Sequence, residues 1–203
     1  TLDDMVYHTR CVARGNQGSL VLADVPFLGA ATLERILEAS GALMQAGANM
    51  VKLEGGAWLA EAVTVLKRNG VPACVHLGLT PQAVNAFGGY RVQGKDEQGA
   101  RELLEAAVAL EKAGAAMLLL ECVPRALSAE ITAAVNIPVT GIGAAPECDG
   151  QVLVMHDMLG LNASPARFVK DFMAEAGGDV AAAFRAYDRA VKDGQFPAEQ
   201  HCF

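Results

Sequence analysis

The chain has 203 residues, 52% hydrophobic and 19% charged, with a net charge of −7 at pH 7. Its mean hydropathy of +0.26 points to strands covered on both faces. The sequence shows no basic stripe interleaved with aromatics, which argues against nucleic acid as a partner, and no apolar run long enough to span a bilayer. Five scattered cysteines without a CxxC pair predict free thiols in a reducing cytoplasm.

In chain order, β-rich runs are predicted at 20–25, 50–53, 73–77, 117–122, 139–142 and 152–156. Amphipathic stretches separate them at 33–46, 57–68, 97–113 and 126–135. This alternation predicts a parallel sheet with helices packed outside it. An internal similarity sharpens the picture. Gln45-Ala46-Gly47-Ala48-Asn49-Met50-Val51-Lys52-Leu53-Glu54 matches Lys112-Ala113-Gly114-Ala115-Ala116-Met117-Leu118-Leu119-Leu120-Glu121. In both, a helix stops at a glycine suited to the position just past its end, a strand follows, and a glutamate falls near the strand's carboxyl end. Asn69-Gly70-Val71-Pro72 and Val135-Asn136-Ile137-Pro138 form a second echo, each leading into a strand. Repeated βα units with equivalent joints predict a (β/α)₈ TIM barrel, with a doubly wound open sheet as the competitor. The predicted strands number six, and a barrel typically needs eight strands and about 250 residues. Residues 1–203 are therefore expected to form one barrel domain whose first two βα units lie ahead of Thr1.

In parallel α/β folds the ligand meets the carboxyl ends of the strands. The ionisable residues predicted there are Asp24, Lys52, Glu54, His76 and Glu121, with His156 and Asp157 closing the last run. Period-two alternation puts Lys52 and Glu54 on one side of their strand. A lone carboxylate at a strand end is most often a helix cap or a solvated loop residue. Five ionisable residues on successive strands point instead to a site. Asp24 and Glu54 are candidate ligands for Mg²⁺, which takes one or two carboxylates and completes its shell with water and substrate. No HExxH or Cys/His spacing suggests zinc. His76 either polarises a substrate oxygen or is a satisfied core histidine. Glu121 sits beside Leu118–Leu120 and Cys122, surroundings that suit a general base acting next to a carbonyl, where a bound metal would stabilise the enolate. The glycine-rich stretch 78–95 reads as a lid with glycine hinges, or as a surface insertion.

Several motifs in fixed order carry a resemblance. They are Leu-Ala-Asp-Val-Pro-Phe at 22–27, Gly-Ala-Asn-Met-Val-Lys-Leu-Glu-Gly-Gly at 47–56 and His-Leu-Gly-Leu-Thr-Pro-Gln at 76–82. Phe-Gly-Gly-Tyr-Arg-Val-Gln-Gly at 87–94, Leu-Glu-Cys-Val-Pro at 120–124, Gly-Ile-Gly-Ala at 141–144 and Gln-Val-Leu-Val-Met-His-Asp at 151–157 complete the set. From end to end the chain resembles the ketopantoate hydroxymethyltransferase family. The resemblance implies a barrel of the phosphoenolpyruvate/pyruvate type, assembled as a homo-oligomer, commonly a decamer. It implies Mg²⁺-dependent transfer of a hydroxymethyl group from 5,10-methylenetetrahydrofolate to 3-methyl-2-oxobutanoate, giving 2-dehydropantoate for pantothenate synthesis. By that likeness Asp24 and Glu54 look like metal ligands, and Asp24, Lys52 and His76 like substrate binders. Glu121 looks like the proton acceptor. The family's early Gly-Asp-Ser strand, with its further aspartate and serine, has no counterpart from Thr1 onward, and Ala145-Pro146-Glu147 stands where many members have a glycine. A Schiff-base aldolase using Lys52 and a non-catalytic barrel that binds an oxo acid are the competing readings.

Overall fold

A computed structural model describes every residue from Thr1 to Phe203. Its helices and strands, in order, are α1 (Leu2–Gly15), β1 (Leu22–Asp24), α2 (Leu33–Gln45), β2 (Met50–Glu54), α3 (Ala60–Arg68) and β3 (Ala73–Gly78). There follow α4 (Val84–Phe87), α5 (Glu97–Ala113), β4 (Met117–Glu121), α6 (Arg125–Ala134) and β5 (Val139–Ile142). The last are β6 (Gly150–Gln151), α7 (Met155–Met158) and α8 (Val180–Lys192).

The six strands pair in parallel in the order β1-β2-β3-β4-β5-β6. A doubly wound sheet would reverse its strand order at a switch point, and this one never does. Right-handed crossovers between consecutive neighbours place all the connecting helices on one side, so the sheet curls into a half-barrel.

Side-chain alternation divides the sheet's two faces cleanly. Val51, Leu53, Val75, Leu77, Leu118, Leu120 and Val139 face outward into a core of 29 buried residues, shared with Ile36 and Leu43 of α2, Leu66 of α3, Leu110 of α5 and Ile131 of α6. On the concave face, the apolar residues Met50, Cys74, Leu119 and Ile142 form a second core with Phe172, Ala183, Ala190 and Phe196 of the C-terminal segment. Phe172, Tyr187 and Phe196 meet edge to face there, with ring centroids 5.4–5.8 Å apart. The C-terminal segment thus lays an apolar floor, and the polar residues stand above it.

The repeat appears as two equivalent joints. Gly47 and Gly114 adopt φ of 111° and 108°, a region open to glycine. α5 begins at Asp96, whose carboxylate accepts the Gly99 N–H at 2.9 Å.

The last predicted strand is corrected. Residues 152–156 do not form a strand: β6 is Gly150–Gln151, one more bond runs from Val152 N–H to the Gly141 carbonyl at 3.0 Å, and Met155 already opens α7. Of Val152, Leu153 and Val154 only Leu153 is buried, so the apolar run lacks the two-sided cover that a central strand needs. β1 is likewise shorter than predicted, at three residues. Helices α1 and α8 were not among the predicted elements. Their amphipathic patterns are capped, by a Thr1–Asp4 capping box and by Asp179.

Candidate active site

Strand register stacks the concave face in rows. Asp24 lies beside Lys52, and Lys52 beside Cys74. Glu54 lies beside His76, and His76 beside Leu119. Gly78 lies beside Glu121, and Glu121 beside Ile142. The five ionisable residues singled out from the sequence therefore converge on the carboxyl side of one face.

Lys52 is the hub. Its Nζ lies 3.3 Å from Asp24 Oδ1, 3.5 Å from Glu54 Oε1 and 3.2 Å from His76 Nδ1. An ammonium has three donors and no acceptor, so Nδ1 must accept. In that contact Nε2 is the ring nitrogen left to donate. That Nε2 lies 3.2 Å from Glu121 Oε2, yet the approach is off the hydrogen-bonding direction and the buried atom has no hydrogen-bond partner. Geometry decides between two statements here: proximity to a carboxylate is present, and a hydrogen bond is not. His76 is satisfied on one side only, with a donor left over.

The two glutamates flank His76 differently. Glu54 Oε2 accepts the Gln82 N–H at 2.9 Å, while Gln82 Nε2 donates to the Val25 carbonyl at 2.9 Å. Gln82 thus ties the start of the glycine-rich loop to β1 and β2. It was quoted from the sequence only as part of a motif; Pro81 opening the short 3₁₀ turn at Pro81–Ala83 is the local signal that fixes it. Glu121 is packed beside His76 without a hydrogen bond of its own and borders a cavity of ≈ 530 Å³. Leu79, Tyr90, Ile142, Asp157, Asn162 and Phe168 also line that cavity. Asp157 accepts from Asn162 at 2.9 Å, whereas His156 is exposed and outside the cluster. A second cavity, ≈ 620 Å³, opens on the other side of Glu54 between Phe27, Trp58 and Phe87.

The stretch 78–95 carries the 3₁₀ turn and α4, and is anchored at its far end by a bond from Gln93 N–H to the Cys122 carbonyl at 2.9 Å. Tyr90, near its tip, is exposed. Ala145-Pro146-Glu147 ends in an ion pair: Arg125 Nε lies 3.2 Å from Glu147 Oε1. Arg125 holds the Glu147 carboxyl below its ordinary range, chiefly through that hydrogen bond.

Three carboxyl side chains, Asp24, Glu54 and Glu121, share the cluster with one lysine. Asp24, with its side chain 45% exposed, keeps Oδ2 free of any protein partner. Hard carboxylate oxygens in a site with more carboxyls than lysines fit a hydrated divalent cation such as Mg²⁺. No group of three or more His, Cys, Asp or Glu side chains is placed to hold a metal ion; Mg²⁺ can be held by one or two protein carboxylates with water and substrate completing its shell.

A parallel α/β sheet with its ionisable residues at the carboxyl strand ends is the arrangement in which α/β enzymes place their active sites. Solved structures agree at the level of fold. 2,3-Dimethylmalate lyase, of the PEP mutase/isocitrate lyase superfamily, matches 97% of this chain and 67% of its own, with a TM-score of 0.53 at 15% identity. A dihydrodipicolinate synthase from Acinetobacter baumannii matches 98% and 67%, with a TM-score of 0.56 at 13% identity. The family model for ketopantoate hydroxymethyltransferase matches residues 1–199. The 3-methyl-2-oxobutanoate hydroxymethyltransferase of Alcanivorax borkumensis is 74% identical over all of this chain and 78% of its own length. That of Stutzerimonas stutzeri is 58% identical over all of this chain and 77% of its own. The chain belongs to the ketopantoate hydroxymethyltransferase family and is a transferase enzyme.

Proposed function

We propose that the protein transfers a hydroxymethyl group from 5,10-methylenetetrahydrofolate to 3-methyl-2-oxobutanoate, giving 2-dehydropantoate for pantothenate synthesis. The observation that carries this reading is the convergence of Asp24, Lys52, Glu54, His76 and Glu121 on one face, with the His76 Nε2 hydrogen and the Glu121 carboxylate left without hydrogen-bond partners. Lys52 supplies the positive charge that holds the oxo acid's carboxylate. His76 donates its free N–H to a substrate oxygen. Glu121 removes the proton from C3, and the resulting enolate carbon attacks the one-carbon unit. That unit is formaldehyde, released when water breaks both of the methylene's bonds to nitrogen and tetrahydrofolate leaves; its oxygen, protonated after the carbon–carbon bond forms, becomes the new hydroxyl. Asp24 and Glu54 would hold Mg²⁺, which when bound adds positive charge beside the oxo-acid oxygens. The cavity walled by Phe27, Trp58 and Phe87 offers flat apolar surface of the kind a pterin ring stacks on. Five free cysteines suit a reducing cytoplasm, and the family likeness suggests a homo-oligomer.

The test is deuterium exchange at C3 of 3-methyl-2-oxobutanoate, followed by NMR without folate. Exchange is expected to need Mg²⁺, and Glu121→Gln should slow it by about 10²–10⁴-fold while the oxo acid still binds. Undiminished exchange in that variant would overturn the assignment.

A further inference from the structure

Cys122 follows Glu121 directly and adopts φ of +48°, one of two non-glycine residues in the left-handed region. A residue with a Cβ is uncommon there and persists where its surroundings over-determine it. Those surroundings are visible. The Cys122 N–H donates to the Ile142 carbonyl at 2.9 Å, and the Cys122 carbonyl accepts the Gln93 N–H at 2.9 Å. One residue earlier, the Glu121 carbonyl accepts the Leu79 N–H at 2.8 Å. Gly78 packs so closely on that carbonyl that a Cβ there would collide with it. The ends of β3 and β5 and the far end of the glycine-rich loop thus grip the two peptides around Cys122. With the peptides gripped, rotation about the N–Cα bond of Cys122 cannot be absorbed downstream. It feeds back into the direction of the Glu121 strand end.

We propose that Cys122 is a positioning residue, whose left-handed backbone, held by Ile142 and Gln93, sets the angle at which the Glu121 carboxylate meets C3 of the substrate. This rests on the reading of Glu121 as the proton acceptor. The thiol itself takes no part. Burial pushes it up to about 12, so it stays a neutral, space-filling group.

Backbone and packing roles make opposite forecasts. If the thiol's volume mattered, Cys122→Val would be tolerated and Cys122→Gly would leave a gap. If the conformation matters, glycine and asparagine accept it and a β-branched residue resists it. The experiment compares Cys122→Gly, →Asn, →Ala and →Val in the intact protein by the C3 exchange assay, with circular dichroism as a folding control. The kcat of exchange should rank Gly and Asn above Ala, and Ala above Val. Valine is expected about 10-fold or more below glycine, at unchanged KM, because Lys52 and His76 are untouched. Valine equal to or above glycine overturns the proposal. If the valine variant does not fold, the Asn–Ala pair decides: Asn above Ala supports it, and the reverse overturns it. Exchange that survives Glu121→Gln would overturn the site reading and this proposal together. Exchange lost there but indifferent to residue 122 would overturn the proposal alone.

Discussion

The β2 and β4 units share six of ten residues across their joints and set their glutamates in different surroundings. Each leaves its helix through a left-handed glycine and runs five residues, ending on a glutamate that faces the concave side. From there they diverge. Glu54 is engaged on both oxygens, by Lys52 at 3.5 Å and by the Gln82 N–H at 2.9 Å. Glu121 has only the misaligned Nε2 of His76 at 3.2 Å and an open cavity beyond it. A mismatch within the repeat supplies part of the difference: β2 carries a lysine two residues before its glutamate, where β4 carries Leu119. A duplicated joint delivers two carboxylates to equivalent places, and their neighbours decide which is held fast and which is left free for a substrate.

Glutamine at each position breaks the comparison. The largest effect is expected for Glu121→Gln, which removes the proposed proton acceptor. Glu54→Gln should leave exchange possible at saturating metal but weaken Mg²⁺ by about 10–100-fold, read as a shift in the metal concentration for half-maximal exchange. Equal behaviour of the two variants would mean that the glutamates share one role.

The joints can be compared as well. A Cβ at Gly47 would lie 2.6 Å from Ala13 Cβ on α1, whereas at Gly114 it meets the flexible side chain of Lys67. Both alanine variants carry the penalty of positive φ, and Gly47→Ala adds a collision that cannot swing away. We expect Gly47→Ala to cost about 1–3 kcal/mol and Gly114→Ala less, measured by urea unfolding.

The smallest expected effect lies in the C-terminal segment. Burial, aided by Lys170, pushes His201 below its ordinary value of 6.5. The unfolded chain therefore takes up a proton first. The stability His201 contributes is fully present above pH 6.5 and is lost as the pH falls below it. His201→Asn should flatten that dependence in thermal unfolding between pH 7 and 5, and an unchanged slope would assign it to another group.

Period-two alternation and the repeat made the concave cluster legible, because Lys52, Glu54 and Glu121 sit at strand positions whose side is set by counting. The outer core was legible for the same reason. Cys122 was not: a left-handed cysteine depends on carbonyls and N–H groups from β5 and residue 93, which no local pattern records. The run at 152–156 misled because apolar composition alone does not reveal that only Leu153 finds cover. The floor beneath the site was also hidden, since α8 reaches the sheet across a long separation in sequence.

The sheet's taper has a dynamic consequence. β3 spans six residues and β4 five, while β1 has three and β6 two. Amide protons in β3 and β4, each paired on both sides, should exchange with solvent only through global opening. His76 and Glu121 therefore stand on the stiff spine of the sheet. The proton abstraction proposed for Glu121 would then take place where the backbone holds still.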